Sequence, residues 1–398
     1  MHLIESYATH CGLRIDKPFV SEKFFPLCMD KYITFHPISK QSRLYDYWQE
    51  VISILSPSLS EKNIKILQLG GQGEHSYSGC SHLQGQTNIG QTAYIIRGAM
   101  LHLGCDSFPT HMASGLNKKI VSTYGVCSPG NTTPYWGNPD DHRLFHPDRK
   151  GESPCYSNED DPKMINNLKP EDIASAVCDL LELELNYPYR TLYLGPTYSN
   201  RLVESVPDSL VDIKSLGIDN LIMRMDYLFD EDILSKQLQI NPCSIITNKP
   251  IKKDILRNFN GNVNEVVYIL DENHDPEFAK LVQELNVRMM LVSSLGEGEV
   301  NDIKIPYLDF DSVITEKRKF KLSEVSEEGN PLSVFKDKEL NKLFYKSSKV
   351  TLSKEKIYLS KVDWEDGNNV ESTDSIRPVT DTEEFWYDLE YMTILEKI

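Results

Sequence analysis

The chain has 398 residues, a formal net charge of −17, and hydrophobic and charged fractions of 40% and 25%. This is room for two or three domains with their own cores, in the ordinary composition of a globular protein. The acidity excludes a chain that grips nucleic acid or an anionic membrane by bulk electrostatics, while a local basic pocket stays open.

The opening MHLIESYATHCGLRIDKP lacks the basic start and unbroken apolar run of a signal peptide. No apolar run reaches the roughly 18 residues of a membrane-spanning helix, so a cytoplasmic protein is expected. The eight cysteines (Cys11, Cys28, Cys80, Cys105, Cys127, Cys155, Cys178 and Cys243) are scattered without a CxxC pair, which favours reduced thiols. Cys80 and His82 with a distant cysteine do not have a recognised zinc spacing, and no metal or cofactor is expected.

Three zones follow. The first, 1–188, alternates strand and helix patterns. YITFHP (32–37) reads as a strand, and LYDYWQEVISIL (44–55) as an amphipathic helix with Leu44, Tyr47, Trp48, Val51 and Leu55 on one face. IKILQLG (64–70) is a strand, TAYIIRGAM (92–100) a helix, and LHLGCD (101–106) and KIVSTYG (119–125) are buried strands. EDIASAVCDLLEL (171–183) is a helix opened by Pro170. The alternation implies a parallel sheet covered by helices.

The second zone, 189–312, reads as another Rossmann-like α/β domain. Its strands are TLYLGP (191–196), NLIMRM (220–225), CSIITN (243–248), EVVYIL (265–270), RMMLVSS (288–294) and KIPYLD (304–309), with DPEFAKLVQEL (275–285) as a helix. The third, 313–398, is a charged C-terminal extension. It holds a hairpin in 349–364, a polar mobile segment at 365–384, and the apolar FWYDLEYMTIL (385–395), which docks back on a domain.

Two loops in the first zone carry chemistry suited to phosphate. HPISKQSR (36–43) follows a strand and precedes a helix, which places Ser39, Lys40, Ser42 and Arg43 at a sheet's carboxyl edge, where open α/β sheets bind ligands. Lys40 would serve as a point charge and Arg43 as a bidentate partner. The competing reading is a solvated cationic helix start, which the helix dipole disfavours. In LGCDSFPTHMASGL (103–116) another strand runs into a helix, with free amides near Ser107 to Thr110 facing an anion. Asp106 or His111 would bond sugar hydroxyls; the competing reading makes Asp106 or Ser107 a plain cap and His111 a packed side chain.

The stretch 1–185 resembles the C-terminal half of glycosyltransferase family 9, the heptosyltransferases. HLIESYATHCGL (2–13) is similar to the helix leading into that half, and KYITFHPISKQSRLYDYWQEVISIL (31–55) to its first strand, phosphate loop and helix. ILQLGGQGEH (66–75) is similar to the next strand and its glycine-rich end. The most specific likeness lies in 87–129, where Asp106 and Ser107 precede His111. HRLFHPDRKGESPCY (142–156) has the family's look before the closing helix.

The resemblance implies a GT-B fold of two Rossmann-like domains and inverting, metal-free transfer from a nucleotide-diphosphate sugar, commonly ADP-heptose. A glycan or lipid-linked glycan, as in lipopolysaccharide, would be the acceptor, and any peripheral membrane contact would come through it. Ser39 and Lys40 would then contact the donor phosphates, with Lys40 stabilising the leaving group. Asp106, Ser107 and His111 would line the donor pocket, Gln86 and Thr87 would reach the nucleoside, and Glu74, at the end of the neighbouring strand, would be a helix cap.

Departures from the family pattern are Phe108, where glycine is usual, and Asn117-Lys118-Lys119 in place of Gly-x-Pro. The family's acceptor half, with its candidate base, precedes this region. Here the second α/β zone would have to supply it in permuted order, and neither Asp208 nor Asp212 stands out as the base. A catalytically degenerate nucleotide-sugar binder or structural protein is therefore the alternative to an enzyme.

Weaker signals remain. Asp309-Phe310-Asp311 after a strand has the context of a metal-binding triplet, and Asp230-Glu231-Asp232 reads as a helix start. LVSSLGEGE (291–299) resembles a phosphate turn, without a third glycine or a clear following helix. The aromatic clusters at Tyr45–Trp48 and Phe385–Tyr387 read as core.

Overall fold

The computed structural model describes residues 1–213, 220–293, 295–307, 314–316, 331–335 and 337–398. The chain is α/β with largely parallel sheets, and it divides into two units, Met1–Thr191 and Leu192–Ile398.

In the first unit, short runs rich in branched residues alternate with helices. The strands are β1 (Tyr32–His36), β2 (Lys65–Gln68), β3 (Ser81–His82), β4 (Leu101–Cys105), β5 (Lys119–Thr123) and β6 (His142–Phe145). The principal helices are α1 (Leu3–Cys11), α2 (Trp48–Glu61), α3 (Ile89–Gly98), α4 (Phe108–Gly115), α5 (Pro129–Thr132) and α6 (Pro170–Leu181). All pairings are parallel, in the order β3-β2-β1-β4-β5-β6. That is the doubly wound order, in which the chain reverses direction across the sheet between β1 and β4.

Apolar side chains of α3 and α4 (Ile95, Ile96, Met112, Ala113) share a core with Tyr32 and Ile120. Fully buried Trp48 of α2 meets Phe35 edge-on, 5.4 Å between ring centroids. Successive residues of a strand point to opposite faces, so Tyr32 and Phe35 show that both faces of the sheet are covered. The helix expected from residue 44 starts at Trp48, because Gln41–Arg43 form a separate 3-10 turn. The cations at 40–43 therefore do not lie on the first turn of α2, and the dipole argument for them lapses.

The second unit contains an eight-stranded sheet. Its strands are β8 (Leu202–Ser205), β9 (Leu221–Arg224), β10 (Cys243–Thr247), β11 (Val263–Leu270), β12 (Arg288–Ser293), β13 (Ile314–Glu316), β15 (Lys349–Ser353) and β16 (Lys356–Tyr358). The order β13-β12-β11-β10-β9-β8-β15-β16 steps steadily one way from β8 to β13. Right-handed crossovers in a single direction put every helix on the same face. Accordingly Leu234 and Leu238 of α7 (Glu231–Ile240), Leu256 of α8 (Lys253–Phe259), and Phe278 and Val282 of α9 (Pro276–Glu284) share one core with Met223, Ile245, Val266 and Leu291. On the opposite face Ile246, Val267 and Met290 stand in register, and Met290 is 45% exposed.

A smaller sheet runs β17 (Arg377–Pro378), β14 (Leu343–Ser347), β18 (Met392–Lys397), β7 (Tyr189–Leu194). Leu192–Ile398 thus form one unit, and β15 and β16 extend its large sheet. The 349–364 segment is a hairpin, β15 antiparallel to β16, followed by a short helix at Lys361–Glu365. The polar segment is pinned by a bridge between Ile357 and Val370. Phe385 and Trp386 are buried.

KIPYLD does not form the expected strand where it is described. Ile305–Tyr307 is a 3-10 turn, consistent with Pro306, which has no N–H for a sheet ladder. A helix, Glu297–Ile303, does begin directly after Gly296, correcting the expectation that no clear helix would follow this run. Asp309-Phe310-Asp311 lies outside the described residues. Asp230 caps α7, accepting from the amides of Asp232 and Ile233.

Five charges sit together in this unit. Arg224 bonds Glu204 (2.6 Å) and Asp226 (2.7 Å), and Lys349 bonds Glu204 (3.0 Å) and Asp388 (2.9 Å). The Arg224 guanidinium also lies 3.7 Å over the Tyr227 ring. Desolvation would push the Lys349 pKa down, but Asp388 and Glu204 override it and raise it. The set satisfies itself. Asp208 is likewise occupied, accepting from Ser353 Oγ (2.5 Å) and the Lys354 amide (3.0 Å).

Candidate functional site

The winding of the first unit opens a crevice where β1 and β4 lie side by side and their continuations diverge. The β1 end supplies His36, Ser39, Lys40 and Arg43; the β4 end supplies Asp106, Ser107 and His111. They meet directly. Ser39 Oγ donates to the Asp106 carbonyl (3.0 Å), and His36 Nδ1 lies 3.0 Å from Ser107 Oγ. Asp106, only 3% exposed, has Arg43 Nη1 at 3.1 Å and His111 Nε2 at 3.5 Å.

The Arg43–Asp106 contact is an ion pair without hydrogen-bond geometry. Arg43 Nε and Asp106 Oδ2 are both buried without a hydrogen-bond partner in the protein. Leaving such atoms unpaired is costly, so they are groups a ligand would satisfy. Lys40 is exposed, and its Nζ donates to Asn158 Oδ1 (3.0 Å), a surface contact that an incoming anion can replace.

Ser107 is the N-cap of α4, in extended conformation, yet its hydroxyl does not cap the helix. Thr110 N donates to the Ser107 carbonyl (3.1 Å), whereas the amides of Ser107 and Phe108 donate to no protein acceptor among the described residues. An uncapped helix start presents N–H groups and the positive end of the dipole to an anion. Phe108, which replaces a glycine of the resembled pattern, is 53% exposed and so turns toward solvent.

Under this loop the sheet carries an unusual polar seam. Thr34 Oγ1 lies 3.0 Å from His102 Nδ1, both fully buried, and Thr34 and His36 fall on the same face of β1. Burial depresses the His102 pKa to about 3 and the His36 pKa to about 4. At the end of β5, Tyr124 stacks on His146 (4.9 Å, 27°).

Gln86 and Thr87 stand on another loop, after β3. Gln86 Nε2 donates to the His82 carbonyl (3.2 Å), and Thr87 pairs with Thr92 (2.9 Å). Glu74 leans over the bare backbone of Gly71, its Oε1 3.1 Å from where a Cβ would stand, and its Oε2 is buried without a partner. Among the described residues no three His, Cys, Asp or Glu side chains gather as a metal site, and all eight cysteines are free thiols. No helix among them is long and apolar enough to cross a membrane.

His36 and Asn158 were absent from the expected site. His36 had one local sign, its place as the last residue of a central strand; Asn158 had none.

Residues 8–155 match the family model of glycosyltransferase family 9 (heptosyltransferase). No curated protein sequence matches the chain. Among solved structures, E. coli ADP-heptose LPS heptosyltransferase II is similar at 19% identity and TM-score 0.31, over 45% of this chain and 51% of that one. The glycosyl transferase family 9 protein of Veillonella parvula DSM 2008 is similar at 16% identity and TM-score 0.31, over 45% and 50%. E. coli heptosyltransferase WaaC with ADP is similar at 15% identity and TM-score 0.32, over 44% and 54%. The chain thus spans about half the length of these relatives.

Proposed function

With a glycosyltransferase family 9 (heptosyltransferase) region at residues 8–155, we propose that the first unit binds a nucleotide-diphosphate sugar and that the protein transfers the sugar to a glycan-type acceptor. The observation that carries this reading is the direct meeting of the Ser39–Lys40 loop with the uncapped start of α4 at the β1/β4 crevice. A diphosphate there would face the ammonium of Lys40 on one side and the free amides of Ser107 and Phe108 on the other. Both groups would stabilise the negative charge that grows on the leaving oxygen.

In the proposed step the acceptor hydroxyl attacks the anomeric carbon from the face opposite the diphosphate. The new C–O bond forms as the old one breaks, and the nucleoside diphosphate leaves with the electron pair. The configuration inverts, and the hydroxyl proton passes to a general base. Asp106 is not suited to be that base, being buried and held between Arg43 and His111; its role would be to fix those two side chains. Cationic and amide groups take the place of a metal, so transfer should survive EDTA. Activity abolished by EDTA and restored by Mn²⁺ would contradict that part.

The binder-only reading draws on the occupied Asp106 and on the bulk of Phe108. Assay of nucleoside diphosphate release from ADP-heptose, with a glycan acceptor present, separates the two. Release supports transfer, and tight binding without release supports the binder.

A further inference from the structure

We propose that His36 is a positioning residue, which holds the Ser107 hydroxyl away from the start of α4 and so keeps that helix end open to an anion. The inference rests on the diphosphate reading above and adds to it the device that prepares the site.

A serine at an N-cap ordinarily turns its hydroxyl onto the second or third amide of its helix. Ser107 has the extended backbone of a cap, φ −154° and ψ 168°, but makes no such bond. Its Oγ stands instead 3.0 Å from Nδ1 of His36, on the neighbouring strand. Pro109 occupies the first turn and has no N–H, so Thr110 carries the amide that a serine cap would take. A Ser107 hydroxyl swung toward Thr110, whose amide already donates to the Ser107 carbonyl (3.1 Å), would crowd the free amides of Ser107 and Phe108, and a ligand there would first have to displace it.

The imidazole is suited to this task. Burial keeps it neutral, so it accepts from the hydroxyl or donates to it without adding a charge beneath the anion. It precedes the Ser39–Lys40 loop by three residues and reaches across the β1/β4 boundary. One side chain therefore couples the cationic loop to the helix end.

The test is calorimetric titration of ADP, with adenosine as control, into the full chain and four variants. His36→Ala should lose about fivefold to tenfold in ADP affinity, the cost of displacing a serine cap, with adenosine unchanged. His36→Asn, whose amide stands near the place of Nδ1, should restore wild-type affinity. Ser107→Ala in the His36→Ala background should bind like Ser107→Ala alone and tighter than His36→Ala, because the competing cap is gone. Should His36→Ala not fold, His36→Met takes its place with the same expectations. A double variant as weak as His36→Ala, or His36→Ala without loss, overturns the role of His36 and leaves the diphosphate site standing. A wild-type protein that binds neither ADP nor inorganic pyrophosphate contradicts the site itself, and this inference with it.

Discussion

The two sheets use the same kind of element and differ in how the chain winds through them. In the first unit the order reverses between β1 and β4, and the loops leaving those strands part to form a crevice. In the second, strands β8 to β13 follow one another in a single direction, and the reversal comes at β8, where β15 pairs parallel on its other side. The buried polar atoms at the two reversals differ. At the first unit's crevice Arg43 Nε and Asp106 Oδ2 lack a hydrogen-bond partner, although the two residues form an ion pair (3.1 Å). In the second unit the buried charges of Glu204, Arg224 and Lys349 answer one another. Polar groups left unsatisfied at such a reversal suit a ligand, whereas charges that satisfy one another there hold the strands together.

The strongest way to break this contrast is Glu204→Ala. It leaves Arg224 and Lys349 short of an anion in a buried setting, and should cost the second unit about 3–5 kcal/mol. Chemical denaturation would measure it, and a loss below about 1 kcal/mol would show the cluster to be solvated and the contrast false.

Next comes pH. His36 and His102 have folded pKa values of about 4 and about 3, below the ordinary 6.5. The unfolded chain therefore binds more protons below pH 6.5. Their contribution is whole above that value and falls as pH drops toward 4, by up to about 1.4 kcal/mol per pH unit for each histidine. Denaturation at pH 7 and pH 5 should show the loss, and His102→Asn should reduce it. An unchanged slope would mean that His102 is not buried neutral.

Lys40→Ala should lower ADP affinity about tenfold and leave adenosine binding intact, the effect of one cation on a diphosphate. Equal loss for both ligands would remove Lys40 from the phosphate site. The smallest effect expected is that of Asp230→Ala, which removes an α7 cap and should destabilise by about 1 kcal/mol without touching ligand binding.

Local pattern carried much of the first unit. β1, β4, β5 and α6 lie close to where apolar runs and Pro170 put them, because each is decided by contiguous residues. The loop residues Ser39, Lys40, Asp106 and Ser107 were legible for the same reason, as strand ends in a β-α repeat. Their partners were not. Arg43 with Asp106, and His36 with Ser107, are joined only by the order of strands, which periodicity does not state. The Glu204–Lys349 pair spans a longer separation still and shows in no window of sequence. Pro306 was visible, but its apolar neighbours outweighed it in the strand reading of 304–309.

Everything proposed for the first unit requires the ends of β1 and β4 to build one diphosphate site. A crystal structure of the protein soaked with ADP tests it most directly. Both phosphates should lie between Lys40 Nζ and the amides of Ser107 and Phe108, with the Lys40–Asn158 contact released. Phosphates found at the carboxyl edge of β9 to β12 in the second unit, with the β1/β4 crevice unchanged, would contradict it.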